Sequence, residues 1–336
     1  MRNPIFDIMK FIAIIAMIVG HCVHDWRQTA IYCWHMPLFF FVSGYFFKPT
    51  KLRTSIKINT QRLLIPYLIG AVGIIICLFI LYHDRPDLNI GLQIKSLVFG
   101  GGYLYWNNYP FQIWFLFALF LCNIIYLILY KYSKNIVYLT ISSIAVSCMG
   151  AYIGAQYGKY IPFQLTQACC AIIFFHIGYY FRRYNSIVPK SHSWIWWCLS
   201  ILFLLLSFYA GSLDMFKNFY SLFPINVLGA IGGIFIVMQF CYLCNNITPK
   251  LALILAQLGS ISILIYLVHF IEFSSGLSTL ITKKLLFFIE NYEQTTIEKI
   301  LFALIVSLLL YQIPIVRRIL RLSNHYQHID NNQLKS

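Results

Sequence analysis

The first apolar stretch of the sequence carries ionisable side chains at helical spacing. Lys10 and His21 are eleven residues apart, which places them about 20° beyond three full helical turns and about 16 Å apart along the axis. Asp7 and His24 fall within about 40° of the same stripe. A base at one end of a helix and an imidazole at the other suit a long anionic ligand whose reactive end reaches His21. The alternative is that Lys10 extends toward the lipid–water boundary and that a neighbour holds His21.

A second polar set follows in the next apolar run. The segment Trp34-His35-Met36-Pro37 places His35 at about the level of His21. Ser43-Gly44 permits close approach of another helix, because small residues let backbones meet. Three roles remain open for His35: to orient His21, to bind a substrate, or to pack.

Composition indicates which elements hold these residues. Of 336 residues, 60% are hydrophobic and 10% are charged, whereas soluble domains are about one-quarter charged. The runs are near-continuous rather than alternating, which argues against strands. The sequence therefore predicts an all-α integral membrane protein, a bundle of about ten transmembrane helices. The predicted spans are 5–24, 30–47, 63–82, 111–130, 135–157, 163–181, 194–212, 222–243, 252–272 and 299–316.

The distribution of basic residues predicts the orientation. With the N-terminus inside the cell, the inside segments hold 17 of the 25 Lys and Arg, and the outside segments hold 8. Because cytoplasmic loops carry the excess of Lys and Arg, both termini are predicted to be cytoplasmic. The net charge of +15 is then mostly a topology signal, and nucleic acid is not an expected partner. One transmembrane domain over 1–322 and a short cytoplasmic tail over 323–336 are predicted. The ten cysteines lie in or beside apolar runs and are interpreted as small hydrophobic residues.

Six stretches follow one another from the first predicted helix to the ninth. They are FDIMKFIAIIAMIVGH (6–21), HMPLFFFVSGYFF (35–47), RLLIPY (62–67), IWFLFALF (113–120), FFHIGYYF (174–181) and GSISILIYLVH (259–269). In order and spacing they resemble the membrane-bound acyltransferase-3 family, and more narrowly its sugar O-acetyltransferase branch of fucose 4-O-acetylase-like proteins. That family has an Arg, ten residues and a His in its first helix, and Lys10 and His21 fill these positions here. It also has a paired Arg motif before its third helix, where this chain has Lys57, Asn59 and Arg62.

The resemblance implies a multi-pass protein of the cell membrane, the inner membrane of a bacterium, surrounded by lipid. It implies an O-acyltransferase, by expectation an O-acetyltransferase, that moves an acyl group from cytoplasmic acyl-CoA to a hydroxyl of a sugar or glycan precursor. Acetyl-CoA is the expected co-substrate, and no metal is expected. His21 is the implied general base, a role that suits a neutral imidazole with a pKa near 6.5. The predicted site residues are His21, Asp7 and Lys10 for catalysis, and His35, Arg62, Trp114 and Lys57 for substrate binding.

Other side chains carry weaker expectations. Trp114 and the aromatic residues at 103–109 suit stacking on a sugar, and an interfacial aromatic belt explains them equally well. Arg62 begins the RLLIPY stretch and is the best candidate for the phosphates of CoA, although positive-inside charge beside anionic lipid explains such a base too. His269 and Glu272 lie three apart on one helix face. They and His24 have no assigned role.

Three other functions remain open. A nucleophile mechanism would use Cys22 or Ser43, although Cys22 points about 100° from His21 on a helix and Ser43 suits packing. A transporter or flippase would also have many helices with polar residues near the midplane, but no inverted repeat is visible. A binding or polymer-export partner is the weakest alternative. A metal site is physically possible and would be formed by His21, His24, Asp25 and His35.

Overall fold

The computed structural model describes residues 3–82, 90–100, 113–184, 194–278, 280 and 292–322. The tail predicted over 323–336 and the aromatic residues at 103–109 lie outside these ranges. Helices make up most of the described chain. They are α1 Pro4–Cys22, α2 Trp26–Tyr32, α3 His35–Tyr45, α4 Leu52–Asn59, α5 Ile65–Tyr82, α6 Ile90–Val98, α7 Trp114–Tyr132, α8 Ile136–Tyr157, α9 Leu165–Arg183, α10 Trp194–Ala210, α11 Phe223–Ile247, α12 Pro249–Ser260, α13 Ser262–Ser275, α14 Tyr292–Gln312 and α15 Pro314–Ile319.

Length and composition identify the helices that can cross a bilayer. In the described ranges six stretches qualify, and they are Pro4–Cys22, Leu52–Leu81, Trp114–Tyr132, Ile136–Tyr157, Phe223–Ile247 and Thr295–Gln312. Helices α12 and α13 qualify together as a pair bent by 60°. The other predicted spans also fall on helices, but α10 has only 17 residues and α9 ends in two arginines. The chain is thus a helical multi-pass membrane protein, and the number ten and the orientation of the termini stay predictions.

The structure differs from the predicted elements in four places. The span predicted over 30–47 is two helices, α2 and α3, and Pro37 lies in the first turn of α3, where a missing N–H is tolerated. The span predicted over 252–272 bends at Ile261. Helix α1 ends at Cys22, so His24 lies beyond it. The prediction of an all-helical chain misses one antiparallel strand pair between α10 and α11, β1 Leu213–Asp214 and β2 Phe219–Tyr220.

Helix α1 is surrounded by other helices because small residues let their backbones approach it. It contacts α3, α11, α12, α13 and α14. A Cβ at Gly259 of α12 would overlap the backbone carbonyl of Asp7. In the same way α3 and α9 cross at Gly44 and Gly178, each of which faces a backbone carbonyl of the other helix. The close approach predicted from Ser43-Gly44 is therefore present.

Candidate active site

The N-terminal half of α1 holds a buried ion pair. Lys10 Nζ lies 2.6 Å from Asp7 Oδ1, one helical turn away. The Asp7 side chain is 2% exposed, while that of Lys10 is 20% exposed. Because an unpaired buried charge is costly, Lys10 makes burial of this carboxylate tolerable. The exposed part of Lys10 faces a cavity.

This cavity, which we call the vestibule, has a volume of about 600 Å³. Arg62 reaches it from the π-helical turn Thr60–Leu64 between α4 and α5; such turns are frequent at functional sites. Lys57, on the exposed side of α4, does not line it. The vestibule therefore gathers positive charge at one end of α1. Its polar lining is Asp7, Lys10, Ser43, Lys48, Thr50, Ser55, Asn59, Arg62 and Asn123.

His21 lies in the last turn of α1, at the opposite end of the helix. Its Nδ1 is 3.1 Å from the hydroxyl of Tyr32. When Nδ1 carries the ring proton, it donates to Tyr32 and leaves a lone pair on Nε2. His269 stacks on the ring, with centroids 5.7 Å apart and planes 11° apart, and Phe270 and Phe273 approach it to 5.3 and 5.4 Å. These contacts fix the plane of the imidazole.

A cavity of about 360 Å³, the chamber, surrounds His21. Its apolar and aromatic walls with few polar groups are typical of a small-molecule site. The polar lining besides His21 is His24, Gln28, Tyr32, His35, Asp214 and Lys217. The remaining lining is Met17, Met36, Trp114, Met215, Phe216, Tyr266, Phe270 and Phe273.

His35 occupies the chamber wall beside Tyr32. The two rings are 5.2 Å apart. His35 Nδ1 donates a hydrogen bond of 2.8 Å to the carbonyl of Ile31, so its Nε2 is the nitrogen left for a substrate. His21 is oriented by its hydrogen bond with the Tyr32 hydroxyl and not by one with His35.

The strand pair closes one side of the chamber. Asp214 accepts hydrogen bonds from the backbone N–H groups of Phe216 at 3.0 Å and Lys217 at 3.3 Å, and Lys217 Nζ is 3.6 Å away. Burial raises the pKa of Asp214. Its carboxylate acts electrostatically on the Tyr32 hydroxyl, and the ring of Phe216 lies 5.8 Å from that of Trp114. The loop between α10 and α11 thus brings a carboxylate and an aromatic face to the site.

A third cavity, of about 210 Å³, lies between the other two and is mostly apolar. We call it the middle cavity. It shares Lys10 and Ser43 with the vestibule and Tyr266 with the chamber. The three cavities therefore follow one another along α1, from Lys10 to His21.

Comparison with known families identifies the family of the chain. Over residues 3–313 the chain matches the Acyl_transf_3 family, whose description is Acyltransferase domain. The chain belongs to this family. It is therefore a membrane acyltransferase, and a transporter or flippase is not favoured. No curated protein and no solved structure matches the chain.

In this acyltransferase the predicted site residues fall at the two ends of one path. The vestibule contains Asp7, Lys10 and Arg62. The chamber contains His21, His35 and Trp114. Lys57 lines none of the three cavities. Lys10 lines the vestibule and the middle cavity, and His21 lines the chamber.

Sequence reasoning missed part of the acyltransferase chamber. Asp214 carried a signal, because it is a single acid in a short segment between two apolar runs. Tyr266 lies within the GSISILIYLVH stretch, but only the structure shows that it borders two cavities. Helix α2 brings Gln28 and Tyr32 to His21. The sequence predicted a single span over 30–47 and therefore did not separate α2 from α3.

The geometry is less favourable for a metal site and for a cysteine nucleophile. Among the described residues, no group of three or more His, Cys, Asp or Glu is placed to hold a metal ion. Cys22 is buried outside the chamber lining. Asp25 caps α2 and pairs with Arg27 at 2.8 Å, and Glu272 accepts a hydrogen bond of 2.6 Å from Ser278. His269, which had no assigned role, stacks on the ring of His21.

Proposed function

We propose that the chain is an O-acetyltransferase that uses cytoplasmic acetyl-CoA and acetylates a hydroxyl of a sugar or glycan precursor, with His21 as general base. In this proposal it has ten spans and cytoplasmic termini, lies in the inner membrane of a bacterium, and belongs to the fucose 4-O-acetylase-like branch. The observation that carries the proposal is the path from the basic vestibule through the middle cavity to the chamber.

The shape and charge of the path suit acetyl-CoA. Its phosphates match the vestibule, where Lys48 and Arg62 add positive charge to that of Lys10. The slender pantetheine arm matches the middle cavity. A span of about 16 Å between Lys10 and His21 then separates the charged part of the donor from its thioester.

The transfer step needs a base at the thioester and no protein nucleophile. Nε2 of His21 takes the proton of the acceptor hydroxyl, whose oxygen attacks the thioester carbonyl carbon. The carbonyl electron pair moves to oxygen, and it returns as the C–S bond breaks. His21 then gives the proton to the departing thiolate, which leaves as CoA. The hydrogen bond between Nδ1 and Tyr32 favours the neutral tautomer whose lone pair is on Nε2 before the proton is taken, and it persists while both ring nitrogens are protonated.

The chamber wall suits a polyhydroxylated acceptor. Trp114 and Phe216 offer flat faces for a sugar ring. Gln28, Tyr32 and Asp214 offer hydrogen-bonding groups around it. We assign the acceptor to this end of α1, because the donor fills the other end.

The test is transfer of radiolabel from acetyl-CoA to glycan in membranes that contain the wild type or His21→Ala. We expect labelled glycan only with the wild type. A matched control is His176→Gln, another buried histidine, which bonds Tyr126 and Thr140 outside the three cavities. Label should persist in this control, after correction for the amount of folded protein.

Two outcomes would refute the proposal. Undiminished transfer by His21→Ala would show that His21 is not the general base. The second outcome is that wild-type membranes release no CoA and label no glycan although the purified protein is folded. This result would show that acetyl-CoA is not the acyl donor. If transfer is observed, mass spectrometry of surface glycans with and without the protein identifies the acceptor.

A further inference from the structure

Tyr266 stands where the donor path meets the chamber. It is shared by the linings of the chamber and the middle cavity. It lies in the second turn of α13, just after the 60° bend that separates this helix from α12. Its ring is held by Phe270 at 4.7 Å and Phe115 at 5.9 Å. A thioester that reaches His21 from the vestibule must pass this side chain.

The hydroxyl of Tyr266 makes no hydrogen bond of the kind that holds the buried hydroxyls of Tyr67 and Tyr126. Tyr266 is 4% exposed, and its hydroxyl makes no hydrogen bond of standard geometry with the described residues. By contrast, Tyr67 donates to the carbonyl of Leu97 at 2.8 Å, and the hydroxyl of Tyr126 bonds His176 at 2.9 Å. Because a buried unpaired donor costs free energy, this hydroxyl is suited to a ligand group.

A backbone N–H lies beside this hydroxyl. Helix α7 begins at Trp114, so the backbone N–H groups of its first turn have no acceptor within the helix. One of them, that of Phe115, is directed at the phenol oxygen of Tyr266. The start of a helix also carries partial positive charge, which makes the phenol O–H a better hydrogen-bond donor at the border of the two cavities.

We propose that the Tyr266 hydroxyl donates a hydrogen bond to the thioester carbonyl oxygen and stabilises the negative charge that this oxygen gains during transfer. The inference rests on the proposed function. As the acceptor oxygen attacks and His21 holds its proton, the carbonyl electron pair moves onto oxygen and is stabilised by the phenol O–H. The pair returns when the C–S bond breaks and the thiolate takes the proton from His21. Tyr266 is then a catalytic residue that donates a hydrogen bond and keeps its own proton throughout the reaction.

The test is Tyr266→Phe in the full-length protein, assayed for transfer from acetyl-CoA to the glycan that the wild type labels. We expect kcat to fall by about 10²–10³-fold, as for removal of one oxyanion donor, with KM for acetyl-CoA within a few-fold of wild type. The thermal midpoint should change little, because the lost hydroxyl makes no hydrogen bond of standard geometry with the described residues. Tyr67→Phe is the matched control, since it loses a satisfied hydroxyl outside the cavities, and we expect a lower midpoint with unchanged kcat.

A graded probe separates this role from a structural one. Fluorinated tyrosines placed at 266 make the phenol a better donor at almost constant shape, so kcat should rise with acidity of the phenol while it remains protonated. An unchanged kcat in Tyr266→Phe would overturn the inference, and so would a loss confined to KM. If His21→Ala still abolishes transfer in that case, the proposed function stands. If His21→Ala transfers normally, the proposed function itself has failed.

Discussion

The vestibule and the chamber place the polar ends of one helix in opposite surroundings. At Lys10 the charge of Asp7 is balanced within α1, and further bases border the cavity. At His21 the neighbours are aromatic rings and one hydroxyl partner. The first setting favours binding of charged groups, and the second holds an imidazole in a fixed plane. Under the proposed function, the comparison predicts that recognition of the donor and the chemistry are separable along α1.

The strongest test of this separation is His21→Ala. We expect kcat to fall by about 10²–10⁴-fold, the usual contribution of a general base, while the dissociation constant for acetyl-CoA stays near the wild-type value. Equilibrium binding of labelled acetyl-CoA to purified protein measures the second quantity. A parallel loss of binding would show that the two ends of α1 do not act separately.

Breaking the ion pair should mainly reduce stability. Lys10→Ala removes the ion-pair partner of the buried Asp7 carboxylate, which should lower the free energy of unfolding by about 3 kcal/mol. Lys10→Arg should retain stability, and Asp7→Asn combined with Lys10→Ala should recover part of the loss. Chemical unfolding in detergent measures all three variants. Equal stability of the Lys10→Ala single and double variants would contradict the pairing argument.

A smaller effect is expected from the exposed arginine of the vestibule. Arg62→Ala should raise KM for acetyl-CoA about fivefold, since one solvated charge pair contributes up to about 1 kcal/mol. Lys57→Ala, which removes a charge of the same sign outside the cavity, should change KM less. Added salt should shrink the Arg62 effect. If Lys57→Ala raises KM for acetyl-CoA more than Arg62→Ala does, the donor phosphates lie along α4 instead.

The smallest expected effect concerns Asp214 and pH. Burial raises the pKa of this carboxyl above its ordinary 3.8, so its contribution to stability is complete at low pH and is lost as pH rises through the raised value. Asp214→Asn keeps an oxygen for the two backbone N–H groups and does not ionise. Relative to wild type, its thermal midpoint should therefore improve as pH increases.

Asp25→Asn is the matched control for that titration. Hydrogen bonding to Arg27 lowers the pKa of exposed Asp25, so its contribution is lost as pH falls, which is the opposite sign. The same pH dependence in both variants would show that the surroundings of Asp214 do not set its titration.

Local periodicity explains what the sequence could predict. A period of 3.6 residues placed Lys10 and His21 on one face, because both lie within a single regular helix. The same rule failed for His24, which lies beyond the end of α1. Hydropathy found every long helix but could not locate the bend at Ile261, because both halves are apolar. Asp214 and Tyr266 reach the site only through tertiary packing, which no local pattern contains.

The apolar middle cavity has a consequence for the membrane that holds it. Polar cavities at both ends of a spanning helix would let ions leak across if water filled the space between them. Phe39, Phe115 and Leu119 border that space, and apolar constrictions of this kind exclude a continuous column of water. Under the proposed function, the side chains that fit the donor arm therefore also limit ion leakage when the donor is absent.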